Sequence, residues 1–442
     1  MNRRDLIKLG GALTAGSLAA PLLAGQAPAV QARRKRRPNI LLIVTDQERS
    51  FLDLPEQLSL PAHEALRASG VSLGNYHVNT TPCSPSRSVI FTGQHTQQTL
   101  MVANHGLPPF NDLSPELPTL GHMLREQGYT TAYKGKWHLS HVPGGDNLTY
   151  GVVETSEQAL QAYGFADYNL GGDPHGTHLT GFLYDRLTAS DAARWMQAHK
   201  DDEAPWLLAV NFVNPHDVMF YSSGPEQERS RLRQNFLGPL SAGPGTGVYG
   251  KHWDIPLPRS FHAEDLSRKP WVQRADVELC NAFYGRIEAD DEAAWRGLQS
   301  YYFNCIRDVD ESIGQVLDAL RASGQEDDTL VVLTADHGEM AGAHRLRQKG
   351  PHMYKENTRV NFIVRHPDLP RGVQRDALGS SVDLVPTLLE LAGVSPEQQQ
   401  ERYPQLAGVS LCESLGGASG RSQRDALGHL FRFIALSRGR RP

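Results

Sequence analysis

Two stretches constrain the fold of this chain more than any other: Asn39 to Asp46 and Thr329 to Asp336 are apolar runs of strand length, each ending in a carboxylate. Runs without polar alternation are how a central parallel strand, buried on both faces, reads. Trp206 to Asn214 repeats the pattern with an amide, followed by Pro215 and His216, and Tyr129 to Tyr133 leads into Lys134, Gly135, Lys136, Trp137 and His138. Helical patterns lie between these runs. Val309, Ile313, Val316, Leu317 and Leu320 share one face of a helix stopping at Gly324, and Thr119 to Gln127 forms another, closed by Gly128. The alternation predicts an α/β domain with a doubly wound, mostly parallel sheet flanked by helices, whose ligands bind beyond the carboxyl ends of the strands.

Polar residues at those ends should therefore converge. Asp46, Gln47, Asp336 and His337 offer two carboxylates, an amide oxygen and an imidazole, a mainly hard donor set suited to Ca²⁺, Mg²⁺ or Mn²⁺. A single strand-end Asp equally well caps a neighbouring helix; two strands with the same ending favour the metal. Composition removes other classes. With 44 Lys plus Arg against 49 Asp plus Glu, a net charge of −5 and the basic residues gathered mainly at the N-terminus, the body carries no nucleic-acid footprint. Four cysteines, Cys83, Cys280, Cys305 and Cys412, are too few to staple 442 residues, so a packed core must hold the chain together.

The N-terminus reads as an address. Arg3 and Arg4, a weakly apolar run from Leu9 to Ala24 and a small-residue exit at Ala32 predict a twin-arginine export signal over residues 1–32, with 33–37 a basic leader remnant. The alternative, a membrane anchor, is disfavoured by Pro21 and by low hydrophobicity, since a span wants about 20 strongly apolar residues. The expectation is a folded bacterial protein delivered to the periplasm or secreted. Glycosylation sequons at Asn79 and Asn147 are discounted accordingly.

Cys83 is the sharpest single residue. Ser84 as N-cap and Pro85 at the first helical position predict a short helix with Cys83 just outside its N-terminus, where free amides favour an anion. An isolated Cys is more often an inert buried thiol, and the residue types alone leave both readings open.

Cys83, Ser84, Pro85, Ser86 and Arg87 together resemble the C-x-P-S-R signature of the type I sulfatases of the alkaline phosphatase superfamily. The resemblance runs from Arg37 to about Gly408 and includes, in order, Asp46-Gln47, Gly135 to His138, Asn214 to Asp217, Thr334 to Met340, and Lys349 to Pro351 with Tyr354. The two donor pairs, with Ile255 to Pro258 and Leu266 to Pro270, place it nearest the choline-sulfatase, arylsulfatase and phosphonate monoester hydrolase branch. The resemblance implies an alkaline-phosphatase-like fold with the catalytic domain at 38–408, and a sulfatase that hydrolyses a small sulfate monoester to an alcohol and sulfate. It implies that a formylglycine-generating enzyme oxidises Cys83 to formylglycine, whose hydrate attacks sulfur with one hydroxyl and expels sulfate with the other. One divalent ion, Ca²⁺ before Mn²⁺ or Mg²⁺, would be held by Asp46, Gln47, Asp336, His337 and the modified Cys83.

The remaining roles follow residue by residue. Arg87 would orient the formylglycine hydroxyl, Lys136 and Lys349 would pair with sulfate, His216 would be general acid to the leaving oxygen, His138 would partner the second hydroxyl, and Asn104 would contact substrate. His344, His352 and Tyr354 read as structural. Residues 409–442 are expected as a short or truncated C-terminal subdomain or tail, and a homo-oligomer is an expectation because a partner chain could complete the site. A phosphonate monoester or phosphodiester hydrolase on the same site, and a non-enzymatic sulfate-ester binding protein, are the competing functions. The stretch from Phe220 to Trp271 is expected as loops over the site.

Overall fold

The computed structural model describes residues 37–106, 112–142, 158–231 and 238–416. The export signal, most of the basic remnant, the Asn147 sequon and residues 417–442 lie outside them. The strands are β1 (Asn39–Asp46), β2 (Val71–His77), β3 (Thr130–Gly135), β4 (Trp206–Pro215), β5 (Thr329–Ala335), β6 (Phe362–Arg365) and β7 (Val373–Ser380). They form one seven-stranded sheet in the order β3-β4-β1-β5-β6-β2-β7. β1 pairs in parallel with β4 and β5, Val44 lying opposite Asn211 and Thr334. Only β6 pairs antiparallel with its neighbours. Asp46, Asp336, His216 and Lys136 therefore end at, or immediately follow, parallel strands at one edge of the sheet.

Apolar residues cover both faces of β1, which explains its unbroken run. Ile40, Leu42 and Val44 face one core; Leu41 and Ile43 face the other, all fully buried. Each such side chain contributes about 1.5–3 kcal/mol relative to exposure. The helices alternate between the faces. α1 (Pro61–Ser69) lies on one, and α2 (Cys83–Thr92) and α3 (Leu120–Arg125) lie on the other. α4 (Thr180–Ala198) returns to the first; α5 (Trp271–Tyr284) leads to α6 (Glu292–Ala322), whose Val309, Ile313, Val316 and Leu320 pack there as their spacing predicts. α7 (Leu384–Leu391) closes the second face.

One sequence expectation changes. The stretch from Phe220 to Trp271 is not simply a set of covering loops: Tyr221, Tyr249, Trp253 and Phe261 bury themselves against Trp295, Tyr301 and Phe303 in the first half of α6, forming a third core. Its aromatic side chains need dry contacts, and the long helix supplies them. Beyond Gly408, Leu411 and Leu415 are buried in the same core as α7.

Candidate active site

α2 begins two residues earlier than predicted, with Pro82 at the N-cap and Cys83 as its first residue. Ser84 is not the cap: its hydroxyl donates to the His138 carbonyl (2.6 Å), and its own N–H is capped by Asn104 Oδ1 (3.1 Å), twenty residues along the chain. Pro85 then sits in the first turn, where a missing N–H costs nothing. Gly93, in the left-handed region at φ 66°, ends the helix.

Four predicted groups converge on the start of that helix. Donor atoms of Asp46, Cys83, Asp336 and His337 all lie within 4.8 Å of one another, and all four residues are buried. Cys83 Sγ is 3.3 Å from His337 Nε2, 3.6 Å from Asp46 Oδ1 and 2.9 Å from Lys349 Nζ. Gln47 Oε1 accepts a hydrogen bond from the same Lys349 ammonium at 2.9 Å. Gln47 holds φ at 72°, a left-handed conformation that costs an amide-bearing residue of order 1–3 kcal/mol and persists where the surroundings fix it. Its backbone N–H donates to Asp336 Oδ1 (3.1 Å), tying the ends of β1 and β5 together.

The electrostatics are those of a cation site. Burial and the facing Asp46 carboxylate push Asp336 up, outweighing His337, Arg87 and Lys136. Burial would also raise Asp46, but Lys136, with His216, Lys349 and His337, holds it well below its ordinary value. Two opposed buried carboxylates repel, and a divalent ion between them relieves that cost; two carboxylates, an amide oxygen and an imidazole fit such an ion. Burial and Asp46 push the Cys83 thiol up, yet Lys136, Lys349 and His337 prevail and lower it. Burial instead raises Cys280 and Cys412 to about 12, and Cys305 upward as well.

A cavity of about 350 Å³ opens beside this cluster, lined by His105, His138, His175 and His216 together with Met219, Phe220, Phe283 and Tyr284. Lys349 stands on its wall and links it to Cys83. Burial, then Lys349 and Lys136, depress the His216 imidazole well below its usual value; burial, Lys136 and His175 do the same to His138. Both are neutral near pH 7. A larger groove of about 430 Å³ along α1 and α6 carries none of these residues.

A buried cysteine at a helix start, two strand-end donor pairs and a lysine-bridged cavity are now in view, and the sulfatase family model matches residues 38–394. The chain belongs to the sulfatase family. It is accordingly a hydrolase of sulfate esters. It is 28% identical over 407 residues to a choline-sulfatase of Rhizobium meliloti (strain 1021), covering 86% of this chain and 72% of the relative. It is 25% identical over 409 residues to arylsulfatase K of Bos taurus, covering 89% and 71%. Among solved structures, a 2-O GAG sulfatase superposes with a TM-score of 0.62 at 24% identity, covering 88% of this chain and 76% of that one. A phosphonate monoester hydrolase of Agrobacterium radiobacter superposes at 0.60 and 22% identity, covering 88% and 78%. These two likenesses bear on fold, which is alkaline-phosphatase-like.

Other predicted residues of the sulfatase fall into place unevenly. Arg87 is fully buried, and its guanidinium donates to Tyr133 OH (2.7 Å), the carbonyls of Lys136 (2.6 Å) and Trp137 (2.9 Å), and Asn211 Oδ1 (2.6 Å), with Asp336 Oδ2 at 3.4 Å. These bonds fix Arg87 one helical turn from Cys83 and tie it to Asp336 and the end of β3. Lys136 is buried and bonded to Asp46 Oδ2, so of the two lysines Lys349 is the one on the cavity wall. Asn104 borders the cavity but spends its side-chain oxygen on Ser84. His344 and His352 are held by Glu264 and Asp276, at 2.6 and 2.8 Å.

Several supporting residues escape sequence reasoning. Asp173, fully buried, accepts from the amides of Trp137 (2.9 Å) and His138, holding His138 at φ 54°. Asp217 accepts from the amides of Gly181 (3.0 Å) and Phe182 (2.9 Å) at the start of α4, which fixes the turn carrying His216. Glu339 accepts from Gln47 Nε2. A lone Asp in a Gly-rich loop carries no signal; the position of Asp217 directly after His216 was the nearest available clue.

Proposed function

We propose that this sulfatase works through a formylglycine made from Cys83 and one divalent ion, Ca²⁺ before Mn²⁺ or Mg²⁺. The observation that carries the reading is the Cys83 thiol at the first position of α2, among Asp46, Asp336 and His337 and 2.9 Å from Lys349. The sulfur stands where the oxygens of the modified residue would be. A bound ion, held by Asp46, Gln47, Asp336 and His337, would lower the pKa of the nucleophilic hydroxyl and neutralise charge on the sulfate oxygens. Conversion of Cys83, by a formylglycine-generating enzyme, supplies two hydroxyls on one carbon, so sulfate can leave without water attacking sulfur.

The chain's own residues do the rest. Lys349 meets the sulfate as a fixed positive charge at the cavity wall, and Lys136 keeps Asp46 ionised. His216 protonates the departing alkoxide; His138, held by Asp173, takes the proton from the second hydroxyl. Phe220, Phe283 and Tyr284 line the cavity with aromatic surface for the alcohol, which supports a small or aromatic sulfate ester. The test pairs two measurements: the mass of the Cys83 peptide from the native host, and side-by-side turnover of an aryl sulfate and a phenyl phosphonate monoester by calcium-loaded protein. An unmodified thiol, or faster phosphonate turnover, overturns the reading. Arg3 and Arg4 support twin-arginine export of the folded enzyme to the periplasm or beyond; replacing both with Lys should leave the protein in the cytoplasm.

A further inference from the structure

The imidazoles of the cavity continue outward past its wall. The His105 ring packs edge-on against His138, centroids 5.2 Å apart, and edge-on against His141 at 5.4 Å. Asp112 meets both outer rings: each of its carboxylate oxygens is 2.9 Å from His141 Nδ1, and Oδ1 is 3.4 Å from His105 Nδ1. All three donors lie within 4.8 Å of one another.

His105 Nδ1 is the informative atom. The residue is 5% exposed, and this nitrogen is buried with no hydrogen-bond partner among the described residues although it faces a carboxylate. An ordinary imidazole–carboxylate bond would close to about 2.8 Å. The His105 gap is instead close to the roughly 3.3 Å between neighbouring donors of a tetrahedral zinc ion with ligands at about 2.0–2.1 Å, while the His141–Asp112 pair, at 2.9 Å, is an ordinary hydrogen bond that such an ion would replace. Asp112 and His141 have side chains 35% and 68% exposed, leaving a fourth position open to water.

We propose that His105, Asp112 and His141 form a second metal site, distinct from the Asp46–Asp336 cluster and selective for Zn²⁺. Two imidazoles and one carboxylate suit a borderline transition ion and suit Ca²⁺ poorly. The ion would join two rims of the cavity. One is the loop of Asn104 and His105, whose His105 amide donates to Ser84 Oγ (3.2 Å) on α2; the other is the segment that follows His138. Its role is to staple the cavity mouth beside the first turn of α2.

Cobalt is the spectroscopic probe. The full chain carrying Cys83→Ala, which removes the competing thiolate, is saturated with Ca²⁺ and titrated with Co²⁺. One equivalent should bind with the intense visible bands of four-coordinate cobalt, Zn²⁺ should displace it, and both His141→Ala and Asp112→Asn should abolish the bands. Because His141 is exposed, its replacement leaves the fold intact, which unchanged circular dichroism checks. Bands that survive both substitutions, or no uptake by the parent protein, overturn the proposal.

Discussion

The buried Glu339 carboxylate accepts a hydrogen bond from the amide nitrogen of Gln47, so that the Gln47 oxygen faces Lys349 and the Asp46–Asp336 cluster. The carboxylate is itself fixed by the backbone amides of Ala341 (2.8 Å) and Gln348 (2.6 Å). A ligating amide can present nitrogen or oxygen, and Glu339 makes the choice. Groups that orient a metal ligand typically contribute 10–100-fold in affinity. Glu339→Gln, which can donate to the amide oxygen and turn it away, should weaken Ca²⁺ binding by about that factor in calorimetry. Unchanged affinity would remove Gln47 from the ligand set.

Gly176 carries a prediction about His216, the proposed general acid. It holds φ at +109°, and a methyl group there would stand 2.6 Å from two atoms of the His216 ring. Gly176→Ala must either distort the loop or push the imidazole aside. Displacing a catalytic group by about 1 Å costs on the order of 10²-fold in rate. The expected result is a kcat lowered by about that factor with Ca²⁺ affinity unchanged; wild-type turnover would show that His216 does not need its present position.

How much of this was legible beforehand depended on whether the signal was local. β1 and β5 were readable because strands buried on both faces must be apolar throughout, and their terminal Asp residues stand out against that run. β7, with Gln374, Arg375 and Asp376 on an edge, offers no such contrast. The cap of α2 was misread because the true partner of its free amide, Asn104, is remote, while Ser84 looks locally ideal. Arg87 was visible in a motif, but its partners come from β3 and β4 and only the folded sheet reveals what it holds.

His63 tests the core beneath the site. Its imidazole is buried between Glu48 (2.8 Å) and Asp310 (2.7 Å). Burial lowers its pKa, but Glu48 and Asp310 together raise it to about 10. The group is thus charged in the folded state well above its unfolded value of about 6.5. Its stabilising contribution is complete below that value and is lost as pH rises towards 10. Thermal melting should show the wild type losing stability across that alkaline window. His63→Gln should be less stable by about 3–5 kcal/mol near pH 6, the cost of leaving a buried charge unpaired, and the two proteins should converge at high pH.

The proposed role of His216 poses a sharper question, since a general acid must carry a proton and the surroundings of this imidazole disfavour one before substrate binds. Burial comes first among the causes, followed by the Lys349 and Lys136 ammonium groups, and together they hold the imidazole well below its ordinary value. A bound sulfate ester would place negative charge against Lys349 and beside the ring, offsetting that part of the repulsion and raising the imidazole pKa. Substrate therefore charges its own acid. The acidic group should titrate at higher pH in kcat, which reports the complex, than in kcat/KM, which reports the free enzyme. Lys349→Met should raise the free-enzyme value towards the ordinary imidazole range and narrow the gap between the two profiles. Profiles that coincide in the wild type, or a gap indifferent to Lys349, would assign the proton to another group.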